Sequence, residues 1–193
     1  VGGTNLGLTC GGRFYPFREI AAATRGVTRT PVVDGSGLKN TLERRTVYWL
    51  AERGLVDYTR HQVLLTCGID RFGMAETLDE VGAQVVYGDL MFNIGLPIAI
   101  HSLRTLQRLG RMLLPLIVRL PFRWLYPTGE KEEVIVPKYE RWYHWADMIA
   151  GDFMFIRRHM PPDLSGRLIV TNTTTEKDVA ELRARGVRTL VTT

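Results

Sequence analysis

The apolar residues of this chain switch repeatedly between strand-like and helix-like spacing, and glycine closes each helical stretch. HQVLLTCG (61–68) is a short, continuous apolar run of the kind buried on both faces of a sheet. A helical pattern over 73–81 ends at Gly82, and AQVVYGD (83–89) is a second such run. The same order returns later, with a strand at about 147–151, GRLIVTNT (166–173), EKDVAELRARG (176–186) and a last strand in VRTLVTT. Upstream, TPVVDGSG (30–37) reads as a short buried strand and turn. LKNTLERRTVYWLAERG then places Leu38, Leu42, Val47 and Leu50 on one helical face before Gly54. Strands alternating with helices predict an α/β, Rossmann-like three-layer fold with a mainly parallel sheet. A single domain is expected over 1–193, cut at both ends from a longer protein, with a helical, aromatic-rich insertion over 98–145. Pro115 should kink or split the long helix that follows Pro97.

A hydrophobic content of 45% with 23% charged residues suits a globular chain and argues against disorder. The net charge of +5 comes from arginines spread along the sequence, without a basic block or interleaved aromatics, so nucleic acid is not an expected partner. MLLPLIVRLPFRWLY (112–126) carries two arginines and two prolines and is too short to span a bilayer. It reads as a buried or interface helix, so no membrane partner is expected, and 103–126 is the candidate surface for a homo-oligomer. Cys10 and Cys67 form no CxxC pair. Reduced thiols and a cytoplasmic location follow as expectations, and neither a disulfide nor a metal site is expected.

In an open α/β sheet, ligands sit at the carboxyl ends of the strands. There this sequence collects Asp34-Gly35-Ser36-Gly37, Gly68-Ile69-Asp70, Gly88-Asp89, Gly151-Asp152 and Thr171-Asn172. Helix capping and turn formation select the same residue types, so each has a structural explanation beside the functional one. The stretch 63–89 has the layout of a dinucleotide-binding βαβ unit, with Gly68 at the tight turn and Gly73 opening the helix. Asp89, 21 residues after Gly68, stands where an acid would bond a ribose. Asp70 replaces the middle glycine and would repel a diphosphate, while Arg71, followed by Phe72, could offset that charge.

A Gly-Ser-Gly turn ahead of Lys39 and Asn40 offers a second anion cradle, with Ser36 as the alternative helix cap. Lys39 and Asp34 could exchange a proton during hydroxyl–ketone interconversion. Ser36, Asn40, Asp152 and Asn172 are the candidate substrate contacts. Asp89 and Asp152 sit in near-identical stretches, GDLMF and GDFMF. The expectation is one functional aspartate, Asp89, and one turn-forming copy.

Several segments, among them TPVVDGSGLKNTLERRTV, DRFGMAETL, GDLMFNIGLPI, LPFRWLYPTGEKEE and ADMIAGDFMFIRRHMP, resemble a bacterial family labelled quinate 5-dehydrogenase, or quinate/shikimate dehydrogenase-like. The resemblance implies NAD- or NADP-linked oxidation of a ring hydroxyl on a cyclic polyol acid. The N-V-T-x-P-x-K and N-T-D-x-x-G segments of authentic shikimate dehydrogenases are absent, so Lys39 and Asp34 rest on chemistry alone. The alternatives are a non-catalytic protein that binds a nucleotide or sugar phosphate, and a structural subunit pairing through its apolar helix.

Overall fold

The structure, a computed structural model, describes residues 6–121 and 134–193. The described chain opens with an antiparallel hairpin, β1 (Gly7–Cys10) and β2 (Arg13–Pro16), and a short helix, α1 (Arg18–Arg25). α2 (Ser36–Glu52), β3 (Gln62–Leu65), α3 (Phe72–Glu80) and β4 (Gln84–Tyr87) follow. A six-residue π-helix, Asp89–Ile94, leaves β4, and α4 (Leu103–Ile117) comes next. The remaining elements are α5 (Glu140–Trp145), β5 (Met148–Ala150), α6 (Phe153–His159), β6 (Leu168–Thr171), α7 (Glu176–Ala184) and β7 (Thr189–Thr192).

The five later strands form one all-parallel sheet in the order β4-β3-β5-β6-β7. The expected α/β fold is therefore present. Along each strand, side chains alternate between two cores. Val63, Leu65, Met148, Ala150, Leu168 and Val170 enter the core beneath α2, α3 and α4. Leu64, Ile149 and Ile169 enter the other core, with Phe92, Tyr143, Phe153 and Leu182. That alternation explains the continuous apolar runs: both faces of the sheet are covered, giving three layers. The outer edge of β4 is bridged by Ile100, which exchanges two backbone hydrogen bonds with Tyr87.

Three local expectations change. No strand forms over 30–35; Val33 is 85% exposed, and the chain instead turns into α2 at Ser36. On α2, Val47 and Leu50 are buried as expected, but Leu38 and Leu42 are 66% and 41% exposed. The buried stripe runs through Glu43, Val47 and Leu50, four and three residues apart, so an acid occupies the place assigned to leucine. Pro115 falls in the last turn of α4, where the helix bonds beside it persist (Val118 N–H to Leu114 C=O), so it neither splits nor interrupts the helix. The turn-rich 122–133 part of the expected insertion lies outside the described residues.

Candidate functional site

Counted along the chain, the parallel strands run 2-1-3-4-5 across the sheet, the flavodoxin-like order of doubly wound folds. The order reverses between β3 and β5, and the crevice outside their carboxyl ends is the ligand position for this topology. The residues that emerge there are Thr66 to Arg71 from β3 and Gly151-Asp152 from β5, flanked by Asp89 after β4 and Asn172 after β6. The topology brings most of the candidates onto one rim.

Asp89 is spent within the protein. Its Oδ2 accepts from the Gly68 N–H at 2.9 Å and its Oδ1 from the Ile69 N–H at 2.8 Å. It is buried, and loss of solvation raises its pKa to about 7 against the pull of those two donors. The glycines are explained by packing. A Cβ on Gly68 would lie 2.8 Å from Leu106 and 3.2 Å from the Asp89 carboxylate, and one on Gly73 would run into the Asn40 side chain. Gly68 thus admits the clamp, and Gly73 lets α3 close on α2. A dinucleotide does not fit this turn, because a carboxylate already holds two of the N–H groups that would cradle a diphosphate. The expected ribose role of Asp89 therefore has no free carboxylate edge toward that turn.

Arg71 links three elements. It is buried, its Nη1 donates to Glu43 Oε1 of α2 at 2.7 Å, and its Nη2 lies 3.7 Å from Asp152 Oδ2. Burial lifts the Glu43 carboxyl above its ordinary range, while the guanidinium and the more distant Lys39 pull it back. Asp152 does more than form a turn. It caps α6 by accepting from the Met154 N–H at 3.0 Å and takes the Asn172 Nδ2 at 2.7 Å, and Asn172 in turn accepts from the Phe153 N–H. Beneath them Cys67 is fully buried, and burial pushes its thiol up to about 12. Its sulfur accepts from the Asp152 N–H at 3.3 Å, so it is a packing and hydrogen-bonding group and not a nucleophile.

Lys39 and Asp34 are joined to different partners. Lys39 Nζ donates to Asp70 Oδ2 at 2.8 Å and to the Asp70 carbonyl at 2.9 Å. Asp34 accepts from Ser36 through backbone and hydroxyl and from the Leu6 N–H at 3.2 Å. Burial pushes the Asp34 carboxyl up, but these donors outweigh it and leave it below the ordinary range. Asp34 and Ser36 therefore organise the entry to α2. Asn40 faces Gly73 and accepts from Arg44 Nε at 3.0 Å. Phe72 packs in the core beneath α2.

A cavity of about 440 Å³ opens beside this network at the ends of β3 and β4. Leu109, Leu113, Leu114, Ile117 and Leu120 wall it on one side, and Leu8, Phe17, Ile94 and Phe155 supply more apolar surface. Cys67, Asp70, Asp89 and Asn93 are its polar members. A smaller polar cleft of about 200 Å³, lined in part by Ser36, Lys39, Asn40, Glu43 and Arg44, shares Leu8 and Asp70 with it. Among the described residues no cluster of His, Cys, Asp and Glu could hold a metal, and no helix is long and apolar enough to cross a membrane.

The profile of a family described as a domain of unknown function, DUF8754, matches residues 37–193. This chain belongs to that family. The DUF8754 match takes in Lys39, Glu43, the β3–α3 turn, Asp89, Asp152 and Asn172, and it starts after Asp34 and Ser36. The network around Arg71 thus lies within the family's span, and the α2 entry turn outside it. No curated protein and no solved structure matches the chain.

Sequence reasoning missed Glu43, Asn93 and the apolar wall from α4. Glu43 had a signal: it stands four residues before Val47 and seven before Leu50 on what is the buried stripe. The α4 wall had none, because an apolar helix face reads the same whether it meets core or cavity.

Proposed function

We propose that this DUF8754 domain binds a small, largely apolar molecule bearing hydroxyl or amine donors, seated at the switch point of its sheet. The observation that carries this reading is the 440 Å³ cavity, whose apolar walls meet the side chains of Asp70 and Asn93 at the strand ends. The Asp70 carboxylate accepts hydrogen bonds and the Asn93 amide both accepts and donates them, so the complementary ligand carries at least one donor. The charge balance points the same way. Around the rim the carboxylates of Asp70, Asp152 and Glu43 pair with Lys39 and Arg71, three acids against two bases, a poor setting for a phosphate and a better one for a neutral or cationic molecule.

A second reading follows the resemblance to quinate/shikimate dehydrogenase-like proteins, and the Lys39–Asp70 pair favours it. Here Lys39 and Asp70, in place of Lys39 and Asp34, would pass the proton of a ring hydroxyl at the cavity wall. NAD or NADP would have to bind elsewhere than the Gly68 turn.

Thermal-shift measurements with quinate, shikimate, neutral cyclic polyols, cyclic amines, NAD⁺ and NADP⁺ test both readings. Donor-bearing cyclic ligands should raise the melting temperature, and Leu113→Trp, which fills the cavity, should abolish the rise. If none of these ligands shifts the midpoint, or if Leu113→Trp responds like wild type, the binding proposal falls. Spectrophotometric reduction of NAD⁺ or NADP⁺ with quinate, lost in Lys39→Met, would select the dehydrogenase reading.

A further inference from the structure

α4 carries a second feature beside the cavity, with which it shares Leu120. Its outward residues include Arg104, Arg108, Arg111, Met112 and Leu116, with Arg119 and Leu120 just beyond its end. Spaced three or four apart, they lie along one side of the helix. Met112 and Leu116 are 64% and 63% exposed, and Leu120 is 40% exposed. From His101 to Pro121 there is no aspartate or glutamate. The face is thus basic toward its start and apolar toward its end.

α1 extends the same surface. The Arg18 N–H donates to the Val118 carbonyl at 3.0 Å, which fixes α1 against the end of α4. Between them runs a groove of about 330 Å³ that contains Arg18, Arg25 and Arg119 and is otherwise lined by Pro16, Ala21, Pro115 and Val118. No carboxylate lines it, and among the described residues none makes a salt bridge to these three arginines. Glu19, the one acid of α1, is not among the lining residues.

We propose that the α1–α4 face is a docking surface for an anionic lipid bilayer. Met112, Leu116 and Leu120 enter the headgroup–acyl boundary, while the groove of Arg18, Arg25 and Arg119 receives an anionic headgroup. A surface-lying helix of this kind needs no spanning segment, only an apolar stripe beside cations. Charge decides among occupants. A two-fold pairing of α4 would set its arginines against each other or against the partner's leucines, desolvating guanidinium groups with no counter-charge. Nucleic acid would satisfy the arginines but gain nothing from three exposed apolar side chains. A bilayer containing anionic lipid satisfies both. Arg18, Arg25, Met112 and Leu116, the residues changed in the test below, lie outside the lining of the 440 Å³ cavity, so either proposal can fail alone.

The test is flotation of the whole chain with phosphatidylcholine vesicles, with and without phosphatidylglycerol. Binding is expected only to the vesicles with phosphatidylglycerol, and it should fall at ~0.5 M salt, where charges are screened within a few ångströms. Each surface arginine counts about fivefold in the partition coefficient, so Arg18→Ala with Arg25→Ala should weaken binding about 30-fold. Met112→Ser with Leu116→Ser should weaken it at every salt concentration. Melting temperatures close to wild type identify variants that remain folded. No binding to phosphatidylglycerol vesicles, or unchanged binding by both double variants, overturns the proposal. So does a dimer in light scattering that Met112→Ser with Leu116→Ser dissolves while vesicles go unbound. An acidic polypeptide such as polyglutamate that binds with the same arginine dependence, while vesicles do not, overturns it in favour of a protein partner.

Discussion

Replacing Asp89 with asparagine separates the two opposing forces on that side chain. In the native state the carboxyl titrates at about 7 because burial disfavours its charge, against an ordinary value of 3.8. That difference corresponds to roughly 4 kcal/mol between the protonation states. Below about pH 4, both folded and unfolded chains hold the proton, and the contribution to stability is fully present. As pH rises the unfolded chain releases its proton first, so stability falls until pH passes the native value of about 7. The asparagine of the variant has no charge to lose. It has one acceptor oxygen where wild type has two, so either the Gly68 or the Ile69 N–H faces an amide NH₂. Leaving such a buried donor unsatisfied costs about 1–3 kcal/mol at every pH. Asp89→Asn should therefore be less stable than wild type near ~pH 4 and equal or more stable near ~pH 8. Urea denaturation followed by tryptophan fluorescence reads both curves, and the other titrating groups cancel in the difference. A stability gap that stays constant across this range would refute the account of a desolvated, clamped carboxylate.

Other outcomes follow from the same rim. Arg71→Met should cost about 3–5 kcal/mol because it leaves Glu43 buried without its counter-charge, and Glu43→Met in the same chain should recover most of that loss in urea melts. Gly73→Ala should cost about 1–3 kcal/mol as its methyl meets Asn40, and Asn40→Ala should restore stability. The Cys67 thiol, pushed up to about 12 by burial, should resist iodoacetamide in the native protein and react once urea unfolds it; rapid native alkylation would contradict its placement.

The sheet was legible because a strand covered on both faces leaves a mark in sequence, as the runs at 63–65, Met148–Ala150 and Leu168–Thr171 do. The rim was legible for a related reason: turns that follow such strands draw on a short menu of residues, and parallel topology gathers them at one edge. Partners were not legible. Lys39 lies five residues from Asp34 but bonds Asp70, 31 residues away, and only the packing of α2 on α3 decides between them. Asp89 had the expected spacing from Gly68, yet that spacing serves a clamp as well as a ribose contact. The near-identical GDLMF and GDFMF show how far local sequence reaches. One winds as a π-helix after β4 and the other as an α-helix after β5.

The two edges of the sheet are unlike, and this limits how the domain can grow. Ile100 occupies the outer hydrogen-bonding groups of Tyr87 on β4, whereas among the described residues β7 pairs with β6 alone. Among the described residues, the edge left without a strand or bridge partner runs alongside Thr189–Thr192, where a further strand could extend the sheet. Such an addition would sit about 14 Å from β5, three inter-strand spacings away. Accretion at that edge would change what the domain assembles with and leave the crevice between β3 and β5 as it is.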